Sequence, residues 1–440
     1  MARTTGFSAG YSSVTALSVF ALFLVFVLLS FSCVFGQSPT REYWPGWKGL
    51  TRDNVSPSTG LIDRWPQSGP KLLWKADGLG NGYSNLAFFG NLIYTLGDRD
   101  GHSNVIALNR ADGKVVWATP MGAPAGGSGF PGTRGTPSTD GRLVFGINQF
   151  ADLLCVTADT GKKVWSKNLL TDFNGSINKS QQGSHEWGYA ESPLVYRNLL
   201  ICTPGGDQGA VVALEKKTGK LVWRSTNLKD DCTYASTAVR TIEGVKQIVV
   251  LTHKAVSGLD PDSGALLWSA PYGTFGITCT DPVVVGNYVY VTNAYGQGGF
   301  GFKVVKDAAG HFSAQQIYSD RQLENKHHGL IVNGKFVYSS TERRQLVCFN
   351  IETGEIAWTK DRMNGGKTAL HAADGNLIAR GENGTITLVE LNSERYVEKG
   401  AFEQPDRTDC NAWTYPVVFE GKLYIRDQNQ LFCYELKNQN

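Results

Sequence analysis

One short unit recurs along this 440-residue chain and limits what the chain can fold into. The clearest copy is VIALNRADGKVVW, residues 105–117. It returns as LCVTADTGKKVW (154–165), VVALEKKTGKLVW (211–223), VSGLDPDSGALLW (256–268) and LVCFNIETGEIAW (346–358). Counting back from Trp117, Trp165, Trp223, Trp268 and Trp358, the fourth residue is always glycine: Gly113, Gly161, Gly219, Gly264 and Gly354. The tenth is always small: Ala107, Cys155, Ala213, Gly258 and Cys348. In-phase repetition at this period is the mark of a propeller or a solenoid. Each unit reads as two short strands around a tight turn, in which glycine supplies the positive φ. Asp, Asn or Thr ahead of it can bond the turn backbone. A tryptophan at one repeated position predicts docking between neighbouring sheets, where truncation to alanine typically costs ~3–5 kcal/mol.

Weaker copies complete the count. KDAAGHF (306–312) keeps its glycine, Gly310, but has no tryptophan, and the docking position falls near Ile317. LVELNSERY (388–396) has neither, with Tyr396 as the nearest aromatic. KLLW (71–74) carries only the end of the motif, at Trp74. LFCYELK (431–437) carries only its beginning, with Cys433 in the small position. The last two are halves of one unit, so the two ends of the chain should pair and close a ring. The expectation is an all-β, eight-bladed β-propeller over residues 71–440, its blades each needing neighbours to bury both faces.

Residues 1–36 are set apart. Arg3 precedes an apolar stretch from Val14 to Val34. Small or modest residues then precede Gln37, as in a secretory signal peptide. The stretch also approaches the length of a membrane anchor. Either reading makes the protein exported, periplasmic or secreted. Residues 37–70, rich in Trp, Pro, Gly and Ser, read as an ordered strap anchored on the ring by Trp44, Trp47 and Trp65. Lys and Arg number 42 against 39 Asp and Glu, without a basic run, so nucleic acid is not an expected partner. Without Cys33, seven cysteines remain, an odd number that suits a disulfide framework badly. Cys155, Cys348 and Cys433 read as small buried apolar residues.

A second repeat phase marks the innermost strands: YSNLAFF (83–89), TRGTPST (133–139), YAESPLV (189–195), YASTAVR (234–240), TCTDPVV (278–284), KHHGLIV (326–332), TALHAAD (368–374) and AWTYPVV (412–418). The loops feeding them should gather at one mouth of the ring. They carry Arg134, His185, Trp187, Glu191, Asp231, Tyr234, Asp281, Lys326, His327, His328, Lys367, His371, Asp409 and Trp413. Such a set suits a small polar or aromatic ligand. Arg134, Lys326, His328, His371 and Trp413 are the candidate ligand-binding residues, and Glu191 and Asp281 the candidate acid and base. His327 and His328 are consecutive, so on a strand they would face opposite ways and could not chelate together. DRDGHSN (98–104) lacks the glutamate that completes a calcium loop and reads as a hairpin turn.

The unit (small)-Leu-Asp-x-x-Thr-Gly-Lys-x-x-Trp resembles the tryptophan-docking motif of the pyrroloquinoline quinone (PQQ)-like repeat superfamily, from about Trp44 to the C-terminus. The resemblance implies an eight-bladed propeller. It offers two functional patterns: quinoprotein alcohol dehydrogenases, and non-catalytic propellers such as the lipoprotein of the outer-membrane β-barrel assembly machinery. The dehydrogenase pattern implies PQQ with a calcium ion, here at Glu191, and Asp281 as catalytic base. The chain departs from it in having no vicinal cysteine pair and no matching second-ligand Asn. The reading adopted is a binding or assembly scaffold of the periplasm or cell envelope, with no cofactor expected and a protein or cell-envelope partner. A PQQ/calcium dehydrogenase for alcohols or sugars and a carboxylate-based polysaccharide-processing propeller stand as alternatives.

Overall fold

In the computed structural model, residues 43–125, 130–176, 188–273 and 278–438 are described. They form eight antiparallel sheets in a ring, seven of four strands and one with a fifth strand added. Blade 1 runs outward from Ala87–Phe89 to Val115–Gly122, and blade 2 from Ser138–Thr139 to Lys163–Asn168. Blade 3 runs from Leu194–Tyr196 to Leu221–Arg224, and blade 4 from Ala238–Ile242 to Leu266–Pro271. Blade 5 runs from Val283–Val285 to Phe312–Asp320, and blade 6 from Leu330–Asn333 to Ile356–Lys360. Blade 7 runs from Thr368–Ala373 to Glu398–Glu403. Among the described residues the only helical element is the short 3₁₀ turn Arg321–Leu323, and no helix is long and apolar enough to cross a membrane. The proposed signal peptide, residues 37–42 of the strap, and the loop residues His185 and Trp187 lie outside the described residues.

Blade 8 closes the ring as the half-motifs require. Val417–Phe419, Lys422–Asp427 and Gln430–Glu435 supply its three inner strands, and Leu72–Asp77 from the other end of the chain is its outermost strand. Trp74 faces Cys433 across that last pair. Two arginines that the repeat does not mark staple the closure. Arg426, fully buried, donates to Ser84 O (2.9 Å), Thr95 Oγ1 (2.6 Å) and Leu96 O (2.6 Å), tying blade 8 to blade 1. Arg380 of blade 7, equally buried, donates to Arg426 O (2.7 Å) and Thr414 O (3.0 Å).

The register explains why the motif has its spacing. The small residue ten places before each tryptophan is its cross-strand partner: Ala107 with Trp117, Cys155 with Trp165, Ala213 with Trp223, Gly258 with Trp268, Cys348 with Trp358. A bulge beside each pair supplies the extra residue. The glycines serve twice. Their φ values fall between 68° and 75°, and an aromatic ring of the preceding blade occupies the space a side chain would fill. A Cβ on Gly161 would stand 2.5 Å from Trp117, one on Gly113 2.6 Å from Trp74, and one on Gly219 2.9 Å from Trp165. Gly264 meets Trp223 in the same way. The cysteines in the small positions are fully buried and free.

Blades 5 to 7 vary this rule. The docking residue of blade 5 is Tyr318, beside the expected Ile317, which is exposed. A Cβ on Gly354 would be 2.6 Å from the Tyr318 ring, and Tyr318 Oη donates to Ile351 O at 2.9 Å. Trp268 does not meet a turn glycine. Its Nε1 donates to Gln247 Oε1 of its own blade at 2.6 Å, and its ring joins a core with Val289 and Phe302 of blade 5. Gly310 tops a long exposed hairpin, with only Lys306 near it. Beside blade 7, Trp65 of the strap packs on Phe402 at 5.4 Å and on Gly400.

The first part of the strap fills the channel. Trp44 O accepts from Phe88 N (2.7 Å) and Pro45 O from Thr139 N (2.7 Å), at the ends of the first innermost strands. Val55–Ser56 pairs in parallel with Ala372–Ala373 of blade 7, which makes the fifth strand. Arg52, 8% exposed, donates to the carbonyls of Ser192, Pro193 and Thr237 in blades 3 and 4.

Two outcomes follow from this packing. Trp165→Ala should cost ~3–5 kcal/mol in denaturant unfolding, whereas Trp413→Ala, in a mouth loop, should cost less. Deleting residues 429–440 should lower the thermal midpoint of the whole ring in calorimetry, because it exposes two sheet edges and removes an inter-blade face. A midpoint equal to that of the full chain would show that the closing strand is dispensable.

Candidate functional site

The segments that lead into the innermost strands meet at one mouth, around a cavity of about 160 Å³. Its floor is Trp47, at the tip of the strap's Gly46–Gly49 turn. Trp47 packs edge-on against Tyr415 at 4.9 Å. Trp413 stacks on Phe130 (4.9 Å, 28°) and lies 5.1 Å from Tyr83. Arg134, Lys326 and His327 complete the polar lining. Arg134 donates to Phe130 O at 2.9 Å, and Lys326 Nζ lies 5.0 Å over the Tyr295 ring. The result is an aromatic cup with two cations at its wall.

The two expected carboxylates face structural partners. Asp281 is 7% exposed and holds the tip of the strap. It pairs with Lys48 Nζ (2.7 Å) and accepts from Trp47 Nε1 (2.6 Å) and Ser236 N (2.7 Å). Glu191 is 1% exposed and spends both oxygens on Thr203, accepting from its N (2.8 Å) and Oγ1 (2.9 Å). Burial raises the Glu191 carboxyl to about 7, against the opposing pull of Thr203 and Arg52. Among the described residues lining the cavity, none is a carboxylate. A calcium ion at Glu191 does not fit this arrangement: both oxygens are engaged by Thr203, the carboxyl is buried, and the Arg52 cation already stands beside it.

Of the ligand-binding candidates, Arg134, Lys326 and Trp413 meet at the cavity. His328 does not line it, but its neighbour His327 does. His371 lies elsewhere, fully buried beside Trp44 at 5.3 Å. Its Nδ1 bonds Asn54 Oδ1 (3.0 Å) and its Nε2 accepts from Val418 N (3.1 Å), so it pins the strap to blades 7 and 8. Burial lowers it to about 3, and it stays neutral. The DRDGHSN segment is the expected hairpin, with Asp100 and Gly101 at positive φ between Leu92–Arg99 and His102–Asn109.

Of the aromatic wall, sequence reasoning placed Tyr234 and Trp413 at the mouth but missed Trp47, Tyr83, Phe130 and Tyr415 there. Tyr83 opens one of the aligned inner-strand segments, as Tyr189 and Tyr234 open two others, so a recurring tyrosine there was a usable signal. Trp47 and Phe130 had no such signal, because neither belongs to a repeat.

An eight-bladed ring of four-stranded sheets, docked tryptophan on glycine, defines a PQQ-like repeat propeller. The chain belongs to the family described as "Outer membrane protein assembly factor BamB", whose model matches residues 101–310 and 313–396. It is 24% identical over 364 residues to the outer membrane protein assembly factor BamB of Escherichia coli K12, covering 72% of this chain and 88% of that one. BamB of Moraxella catarrhalis superposes with a TM-score of 0.59 at 15% identity, covering 84% of this chain and 98% of the other. Quinohemoprotein alcohol dehydrogenase of Comamonas testosteroni gives 0.63 at 11% identity, covering 90% and 81%. At those identities the two solved structures speak for the fold alone.

The raised Glu191 gives a pH signature. Its folded value, about 7, lies above the usual carboxylate range, so the folded state holds the proton more tightly than the unfolded chain. Its contribution should be full in acid, decline as pH rises from about 4.5 to about 7, and then level off. Glu191→Gln should remove that decline from the stability–pH profile, measured by urea unfolding. An unchanged slope in the variant would assign the titration elsewhere.

Proposed function

We propose that this chain is an exported binding and assembly scaffold of the cell envelope, holding extended segments of protein clients along its blade edges. The observation that carries this reading is the apolar exposure of the outermost strands. Leu72, Leu73, Val116, Val164, Leu221, Val222 and Ile317 are exposed there, Leu221 and Val222 each to 52%. An outermost strand has an unpaired edge, and an extended client can add to it as a further strand. The relatives' role as assembly factors supports the same reading, and the apolar stretch Val14–Val34 supports export. The mouth then serves recognition, taking a small polar or aromatic group between Trp413 and Trp47 beside Arg134 and Lys326. The engagement of Glu191 and Asp281 in structural bonds weighs against carboxylate-driven sugar chemistry.

A second reading keeps one observation. Arg134 and Lys326 beside the Phe130–Trp413 stack offer cations and a π-face, which suit a polycarboxylated quinone. One experiment separates the two. A labelled peptide of alternating apolar and polar residues should bind the chain in fluorescence anisotropy. Leu221→Lys with Val222→Lys should weaken it several-fold while leaving the thermal midpoint near that of the parent, since both side chains are exposed. Equal affinity in the variant would sink the edge-strand reading. Saturable heat on adding PQQ with calcium would favour the quinoprotein instead.

A further inference from the structure

His327 and His328 do not lie on a strand. The innermost strand of blade 6 begins at Leu330, and Asn325 holds a bend ahead of it. His328 N donates to Asn325 Oδ1 (2.9 Å), and Asn325 Nδ2 donates to His328 O (2.6 Å). The bend defeats the alternation expected of consecutive residues and brings the two rings to the same side, 4.1 Å apart. Glu382 joins them from the turn between Asn376–Gly381 and Thr385–Glu390 of blade 7. Its Oε1 lies 3.9 Å from His327 Nε2. One ligating atom from each of the three residues lies within 4.8 Å of the other two.

Two further observations point to a ligand. His328 is 1% exposed, and Nε2 of both histidines is buried with no hydrogen-bond partner. A buried polar atom in a native site normally has one. Glu382 Oε1 also accepts from Trp413 Nε1 at 2.9 Å, the kind of outer bond that orients a ligating carboxylate. Both rings are removed from water, and the ammonium groups of Lys326 and Lys367 stand near them. Lys367 is itself paired with Glu342 at 2.9 Å.

We propose that His327, His328 and Glu382 form a binding site for a divalent first-row transition ion of zinc's class, with a fourth position open to the mouth cavity. Two imidazoles and one carboxylate are a zinc-type donor set, whereas calcium takes six to eight oxygens. Zinc–nitrogen bonds of ~2.0–2.1 Å put neighbouring tetrahedral donors roughly 3.4 Å apart. The present spacing therefore closes with side-chain shifts of about an ångström. His327 lines the cavity and lies 4.7 Å from the Trp413 ring, so an ion there sits beside Trp413 and can take an anionic group of the bound occupant at its open position.

The test uses the untagged chain with zinc in calorimetry and cobalt(II) in visible absorption. Binding should be one to one, and bound cobalt should show the intense bands of a four- or five-coordinate ion with nitrogen ligands. His327→Ala and Glu382→Gln should each weaken zinc by at least the ~10–100-fold that losing an outer-shell partner typically costs. His311→Ala, at an exposed histidine far along blade 5, should leave it unchanged. Equal affinity in the two site variants, or a weak octahedral cobalt spectrum in the parent, would overturn the site. If His328→Ala fails to fold, the parent spectrum and the other two variants still decide the question.

Discussion

The contact on which the ring depends is the tryptophan of one blade lying on the glycine turn of the next. It joins a large apolar surface to a backbone conformation that few other residues adopt. An alanine at Gly161 would have to hold a φ of 68° and place its methyl 2.5 Å from Trp117. Both penalties act at one position, so the turn and the interface stand or fall together. The same contact repeats at Gly113, Gly219 and Gly264, and with Tyr318 in place of tryptophan at Gly354. Between these interfaces each sheet is marginal, because both of its faces are apolar and need a neighbour.

With the blades fixed, the channel they enclose must be filled. The strap does this with an unusual share of polar contacts. Arg52 and Asn54 are buried at positive φ, and Arg52 satisfies the carbonyls at the ends of inner strands from two blades. Burial lowers the Arg52 guanidinium to about 10, still above neutral pH, so it remains a charged donor. Lys48 and Asp281 complete the plug by neutralising one another at its tip. This filling decides the character of the mouth. Trp47 becomes a floor, Asp281 is drawn down into the plug, and the space above is left to aromatic rings and cations.

The mouth also shows why a list of loop residues is not yet a site. Arg134, Lys326 and Trp413 come from blades far apart in sequence and do meet. His371 belongs to the same repeat phase, yet it lies two positions further along its segment than Arg134 or Trp413 and is bonded to the strap and to blade 8. His327 and His328 reverse the expectation in the other direction, because a single asparagine bend cancels strand alternation just before Leu330. Glu382, which lies outside the aligned inner-strand segments, is drawn to them by the turn that carries it.

By itself the sequence determined the blade number, the closure by both ends of the chain, and the tryptophan-on-glycine contacts at Gly113, Gly161, Gly219 and Gly264, though not the Tyr318 contact of blade 5. These are local or periodic properties: a tight turn needs its glycine wherever it occurs, and a recurring strand–turn–strand unit imposes its own stacking. Tertiary structure alone decided where the polar side chains of different blades point. That depends on bulges, bends and a strap inserted along the axis, none of which leaves a period in the sequence. Glu191 and Asp281 look like catalytic carboxylates in one dimension. In three, Thr203 and Lys48 claim them, because a buried carboxylate takes the nearest donor or cation that can replace its lost water.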